Sequence, residues 1–450
     1  MKNSLVDSIY AICFIFVLLL TGILMTAERI QASEISDASQ IKAVMQKANI
    51  TDMSVVIVTG DQVSYAGNKD TKGLYQIGSM TKAFTALGIM LLVDSEKISL
   101  DDTVSTYIEG FTATYQGNSV EITVDQLLAQ TSGYTNSEKL YPSAAENMTL
   151  EDWAKGISGK ELQSSPGVEY AYSNVNYNLL GLIIERVSGL SYKEYMEESV
   201  LLPLRLNQTY CGKRYHADGI VTGSRQGFLT NFPYEINNSE GMIPAGYCYS
   251  SIEDMGRWLQ IQMGMVTVPE NLASAINEIQ LISVKEYFAG WELTDYGALG
   301  HSGGTPNYSS RIVFDKDKQV GVCVLANLNA AGTVDYLSNA LFLEKIGEKM
   351  PHFSYDIWRI MDFIFTGVTL LCIAAVLFMI FKRRQSKLAD TINGSMFLLL
   401  TVAVLIVFPL IFQASWWTIL SVWAPYSMAS GVILLCLCTL LSIWKLVKKG

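Results

Sequence analysis

The sequence predicts a mixed α/β (α+β) fold: a sheet with an all-helical insertion, followed by C-terminal transmembrane helices. Three observations predict it. First, β-rich runs stand at both ends of the middle of the chain. Met53–Val58 and Gln62–Gly67 are at its start, and Arg311–Phe314 and Gln319–Leu325 are near its end. Second, the stretch between them is mostly helical in pattern, so distant segments must close one sheet around a helical insertion. Third, the last ninety or so residues are long uncharged apolar runs set off by basic clusters.

Bulk properties agree. The 450 residues suffice for one large domain or two, and half of them are hydrophobic. The mean hydropathy is +0.26, too high for an ordinary soluble enzyme. A net charge of −10 without a basic stripe argues against nucleic-acid binding. Only His216, His301 and His352 are present, with no HExxH and no Cys/His cluster, so no metal or other cofactor is expected. Of seven cysteines, Cys13, Cys372, Cys436 and Cys438 lie in apolar end segments. Cys211, Cys248 and Cys323 show no framework spacing. Small buried thiols are the simpler expectation, with Cys211 and Cys248 able to pair in an extracytoplasmic domain.

In chain order, residues 1–30 hold an uncharged run from Ser8 to Thr26, read as a signal peptide or an N-terminal membrane anchor. Ile35–Lys47 reads as an amphipathic helix. Thr59-Gly60-Asp61 is the hairpin signal between the first two strands. A helix from Ser79 to about Asp94 follows, then the helical insertion to about Asn277. Gly290–Leu293 reads as a strand, Asp315–Lys318 as the turn between the last two strands, and Val334–Lys349 as the closing helix. Three transmembrane helices are expected at about 360–381, 394–413 and 425–444. Trp416, Trp417, Trp423 and Tyr426 lie in the turn between the last two, as at a membrane interface. Basic clusters at 382–387 and 445–449 then face the cytoplasm, which puts the domain at 38–350 outside the cell.

Chemistry concentrates in three places. In Tyr75–Thr85, Ser79 and Lys82 are three apart, hence on one helix face within mutual reach. A hydroxyl is a weak nucleophile until a neighbour takes its proton, and a Lys can do so when its pKa is lowered. Gln76 stands three before the serine. In Tyr172-Ser173-Asn174, the Tyr can serve as base or acid near a cationic Lys. Asn174 can bind a substrate amide and orient Lys82. In Gly300–Thr305, Gly303 and Gly304 allow close backbone approach, and an N–H there with that of Ser79 could form an oxyanion hole. Taken alone, His301 reads as a turn histidine.

The order S-x-x-K, Y-x-N, H-x-G resembles the serine β-lactamase and penicillin-binding-protein family, above all its class C β-lactamase and D,D-peptidase branch. Ile77–Ala86, Leu127–Gly133, Tyr172–Gly181 and His301–Pro306 carry the likeness, which covers about residues 38–350. With the apolar C-terminus it is similar to FmtA-like membrane-anchored members. The resemblance implies an antiparallel sheet flanked by helices plus an all-helical region, with the site in the cleft between. It also implies Ser79 as nucleophile, Lys82 and Tyr172 in proton transfer, and Gln76, Asn174, His301, Gly303 and Gly304 on the substrate side. His301 stands where many relatives have the Lys of K-T-G, which disfavours recognition of a free substrate carboxylate. Membrane-anchored prodrug-activating peptidases carry an acidic residue where this chain has Gln76. The expected activity is therefore extracytoplasmic hydrolysis, through an acyl-enzyme, of ester or amide bonds in a cell-envelope or D-amino-acid-containing substrate at the lipid membrane. The alternatives are a class C-type β-lactamase and a non-catalytic binding or sensor protein.

Overall fold

The computed structural model describes residues 37–67, 70–136, 147–212, 218–236, 239–283, 287–353, 355–381 and 387–449. The N-terminal run at 1–30, His216 and Lys382–Arg384 of the first basic cluster lie outside the described residues. The chain divides into two compact units. Among the described residues, one comprises 37–224 and 233–352; the other comprises 225–232 and 353–449.

Among the described residues there are twelve short to medium strands with helices between them. The strands are β1 (Met53–Thr59), β2 (Gln62–Gly67), β3 (Leu74–Gln76), β4 (Ala113–Tyr115), β5 (Asn118–Val120), β6 (Ser224–Gly227), β7 (Thr230–Pro233), β8 (Tyr249–Ser251), β9 (Glu292–Leu293), β10 (Leu299–Thr305), β11 (Tyr308–Asp315) and β12 (Val320–Ala326). Most of β6 and β7 falls in the second unit. The main sheet runs β2-β1-β12-β11-β10-β9, with every adjacent pair antiparallel. First and last strands meet inside it, as the second and third strands from one edge, with Met53 opposite Ala326 and Thr59 opposite Val320. Both are rich in β-branched residues and almost wholly buried, as an interior pair covered on both faces requires. Gly60, at φ +54°, makes the β1–β2 turn that a β-carbon would strain.

The helix Thr81–Asp94 is buried from Thr81 to Leu92, so it is the spine of the core and not a surface element. Phe84 stacks on Trp258 with centroids 4.6 Å apart. A second buried helix, Asn174–Ser188, starts where the Ser173 hydroxyl accepts the Val175 N–H and stops at Gly189 in the left-handed region, φ +74°. The insertion departs from a purely helical reading: β4–β5, β6–β7 and β8 interrupt it. Gly300–Thr305, whose His301 taken alone reads as a turn histidine, is part of strand β10, because full pairing to β11 overrides the low strand propensity of its glycines.

Cys211 and Cys248 form a disulfide, which corrects the expectation of two separate thiols. Tyr210 and Tyr249 exchange backbone hydrogen bonds of 2.8 and 2.9 Å across an antiparallel bridge, so the flanking cysteines oppose each other with Cα atoms 4.3 Å apart.

In the second unit, Ile357–Phe381, Asp390–Phe412 and Tyr426–Lys448 are helices long and apolar enough to cross a membrane. The connection between the last two is itself helical over Trp416–Trp423. Phe365, Val368, Cys372, Met428, Val432, Leu435 and Cys438 form its buried seam.

Candidate active site

Ser79 lies in a single 3₁₀ turn, Gly78–Met80, that feeds directly into the Lys82 helix. The turn is possible because Gly78 takes φ +52°; a β-carbon there would collide with the backbone of Gly303 and the amide nitrogen of Gly304. β10 therefore comes flush against the serine turn. Gly303 is required for the same reason, since a β-carbon on it would strike the Ile77 carbonyl oxygen. The Ser310 hydroxyl, next along on β11, donates to that carbonyl at 2.7 Å. Gly304 faces open space.

Lys82 is fully buried. Its Nζ donates to Ser79 Oγ at 3.0 Å, Asn174 Oδ1 at 2.6 Å and the Ala245 carbonyl at 2.6 Å. These three acceptors are all neutral, and burial holds the Lys82 pKa well below the usual lysine value. A neutral amine in this position can turn its lone pair to Ser79 Oγ. The same nitrogen sits 4.8 Å from the ring centroid of half-buried Tyr172 and 5.4 Å from that of Tyr177. Gln130 fixes the Y-x-N loop: its Oε1 accepts from the Ser173 N–H at 2.9 Å and from Asn176 Nδ2 at 2.5 Å.

His301 is buried on β10, its ring 6.1 Å from that of Tyr172. Nδ1 donates to the Ser302 carbonyl at 2.7 Å, which leaves Nε2 to accept from the Tyr287 hydroxyl at 3.3 Å. Burial, with Lys82 nearby, pushes the imidazole pKa down to about 3. The ring is thus neutral at pH 7. Its folded pKa lies below the unfolded value of 6.5, so the unfolded chain binds a proton that the folded chain does not. Stability is then lost as pH falls below 6.5, until about 3. Between pH 7 and pH 5 the loss is about 2 kcal/mol at about 1.4 kcal/mol per pKa unit. Thermal unfolding of the full chain should show this difference, and His301→Gln should remove it.

The structure thus brings Ser79, Lys82, Tyr172, Asn174, His301, Gly303 and Gly304 together. Gln76 is nearby in sequence but almost wholly buried in β3, where its amide donates to the Tyr249 hydroxyl at 2.8 Å. Two participants were not singled out from sequence. Tyr287 contacts the rings of Tyr170, Tyr172 and His301. Ala245 contributes only a carbonyl, which no side-chain motif can reveal.

A family model described as "Beta-lactamase" matches residues 38–342. The chain belongs to the β-lactamase family. Protein flp of Staphylococcus aureus (strain COL) is 32% identical over 320 residues, 64% of this chain and 61% of that protein. The chain thus spans less than two thirds of the length of that relative. Among solved structures, an octameric penicillin-binding protein homologue from Pyrococcus abyssi aligns with TM-score 0.60 and 24% identity, over 73% of this chain and 80% of that one. A β-lactamase/D-alanine carboxypeptidase from Pseudomonas syringae aligns with TM-score 0.58 and 18% identity, over 70% and 98%. The fold is that of the β-lactamases and penicillin-binding proteins, with the antiparallel sheet and flanking helices that the sequence motifs implied.

Proposed function

We propose that this chain is a membrane-anchored, extracytoplasmic serine hydrolase that acts through an acyl-enzyme on ester or amide bonds of a cell-envelope or D-amino-acid-containing substrate. The observation that carries the reading is Lys82 Nζ, buried among neutral partners, 3.0 Å from Ser79 Oγ. Ser79 Oγ attacks the substrate carbonyl while Lys82 takes the hydroxyl proton. The N–H groups of Ser79 and Gly304 hold the developing oxyanion. Tyr172 passes the proton to the departing alcohol or amine, leaving an ester on Ser79. Water then attacks that ester with the same groups in reverse, releasing the acid and restoring the serine. Asn174 holds Lys82 through Oδ1.

The three apolar helices support anchoring, and the Cys211–Cys248 disulfide supports an oxidising, extracytoplasmic compartment. His301 argues for the substrate. A neutral, buried imidazole that spends both nitrogens on Ser302 and Tyr287 offers no charge to a β-lactam carboxylate. Specificity constants for a D-alanyl ester, a D-amino-acyl amide and a chromogenic cephalosporin test this. The ester or amide should be preferred. A tenfold preference for the cephalosporin, about 1.4 kcal/mol in transition-state binding, would replace this reading with that of a β-lactamase.

A further inference from the structure

Residues 225–232, most of the hairpin made by β6 and β7, group with the apolar helices. Both central residues of its two-residue turn, Phe228 (φ +52°) and Leu229 (φ +65°), are in the left-handed region. Such a turn ordinarily takes Asn-Gly, for which this backbone is cheap. Here two large apolar side chains occupy it, 41% and 42% exposed, with Phe232 beside them at 39%. Neither turn chemistry nor burial within the protein accounts for that choice.

The hairpin is pinned to the ends of two candidate spans. Arg225 is buried and donates from Nε to the Ala424 carbonyl at 2.7 Å and from Nη1 to the Ser421 carbonyl at 2.9 Å. Its Nη2 donates to the Leu420 carbonyl, and its guanidinium lies 4.8 Å from the Tyr426 ring centroid. These are the last carbonyls of the helical connection before the third span, which need donors wherever water is excluded. Asp362, fully buried in the second turn of the first span, accepts the Leu229 N–H at 2.9 Å and the Ser427 hydroxyl at 2.6 Å. Phe232 meets the Tyr426 ring at 5.6 Å. The same connection carries Trp417, 81% exposed, of the residue type that populates membrane interfaces.

We propose that the Arg225–Phe232 hairpin is a bilayer-interface anchor, with Phe228, Leu229 and Phe232 seated at the boundary between lipid headgroups and acyl chains. The occupant of this apolar tip is lipid, because the hairpin is continuous, through Asp362 and Arg225, with helix ends that meet the bilayer surface. The inference rests on reading the three apolar helices as spans. Its energetic logic is that of an amphipathic edge: the polar backbone is satisfied by the protein, and the apolar tip is satisfied by lipid.

Photocrosslinking on the full chain in phosphatidylglycerol–phosphatidylcholine vesicles tests it. Benzoylphenylalanine replaces Phe228, Phe232 or, in the candidate second span, exposed Leu399. Irradiation should give lipid adducts at all three positions, at least tenfold above unirradiated samples. Adducts at 399 with none at 228 and 232, or adducts there to protein and not lipid, would overturn the anchor while leaving the spans intact. No lipid adduct at 399 would overturn the spanning reading and the anchor with it.

Discussion

Lys82→Met should slow acylation of Ser79 by ~10²–10⁴-fold, the usual worth of a positioned general base, with little change in thermal stability at pH 7. Methionine fills the buried volume but removes the group 3.0 Å from Ser79 Oγ. Two opposed terms set the stability. The folded-state pKa of Lys82 lies below the unfolded value, so between those two values the unfolded chain binds a proton that the folded chain does not. That penalty grows as pH falls, and the substitution abolishes it. Against this, Asn174 Oδ1 and the Ala245 carbonyl lose a donor, at about 1–3 kcal/mol each when buried. A fluorophosphonate labelling rate and a melting temperature on the same sample separate the roles. The wild-type rate should rise with pH through the depressed Lys82 pKa, and the variant should lose that dependence. Equal labelling by wild type and variant would remove Lys82 from the chemistry. A collapse of the melting temperature in step with the rate would make it structural.

Gly78→Ala should be nearly as damaging, by a different route. Alanine at φ +52° costs of order 1–3 kcal/mol in backbone strain. The new β-carbon also meets backbone atoms of Gly303 and Gly304, which cannot rotate away as a side chain would. Either β10 retreats or the serine turn does, and both outcomes pull the Ser79 and Gly304 amides out of register. Removal of one oxyanion donor typically costs ~10²–10³-fold, so a loss of at least that size is expected, together with a lower melting temperature. Gly304→Ala is the control. That residue has no left-handed φ, and its β-carbon would point into open space. It should melt with the wild type and affect only how substrates are accommodated.

Much of this site was legible because it is local. Ser79 and Lys82 lie three apart on one helix, and a short glycine run is what a strand needs to lie against a serine turn. The sheet was legible because β1 and β12 are apolar runs too β-branched for helices. What stayed hidden depends on distant pairings. Tyr287 joins the cleft only because the β9 approach delivers it beside Tyr172 and His301, and nothing near it in sequence marks it. The Cys211–Cys248 bond follows from the Tyr210–Tyr249 bridge, and a separation of 37 residues gives no hint of that register. The β6–β7 hairpin escaped because its turn carries Phe-Leu where the usual signal is Asn-Gly. For His301 the motif gave the position, but the neutral imidazole required its burial and both hydrogen-bond partners.

The most direct measurement of the central claim is the identity of the residue that carries a covalent adduct. The purified full chain is incubated with a fluorophosphonate, digested, and its peptides are sequenced by mass spectrometry. One modified residue is expected, Ser79, with no adduct in Ser79→Ala and a labelling rate that depends on Lys82 and Tyr172. An adduct on any other serine, or a folded wild-type protein that takes up no label, would contradict that claim.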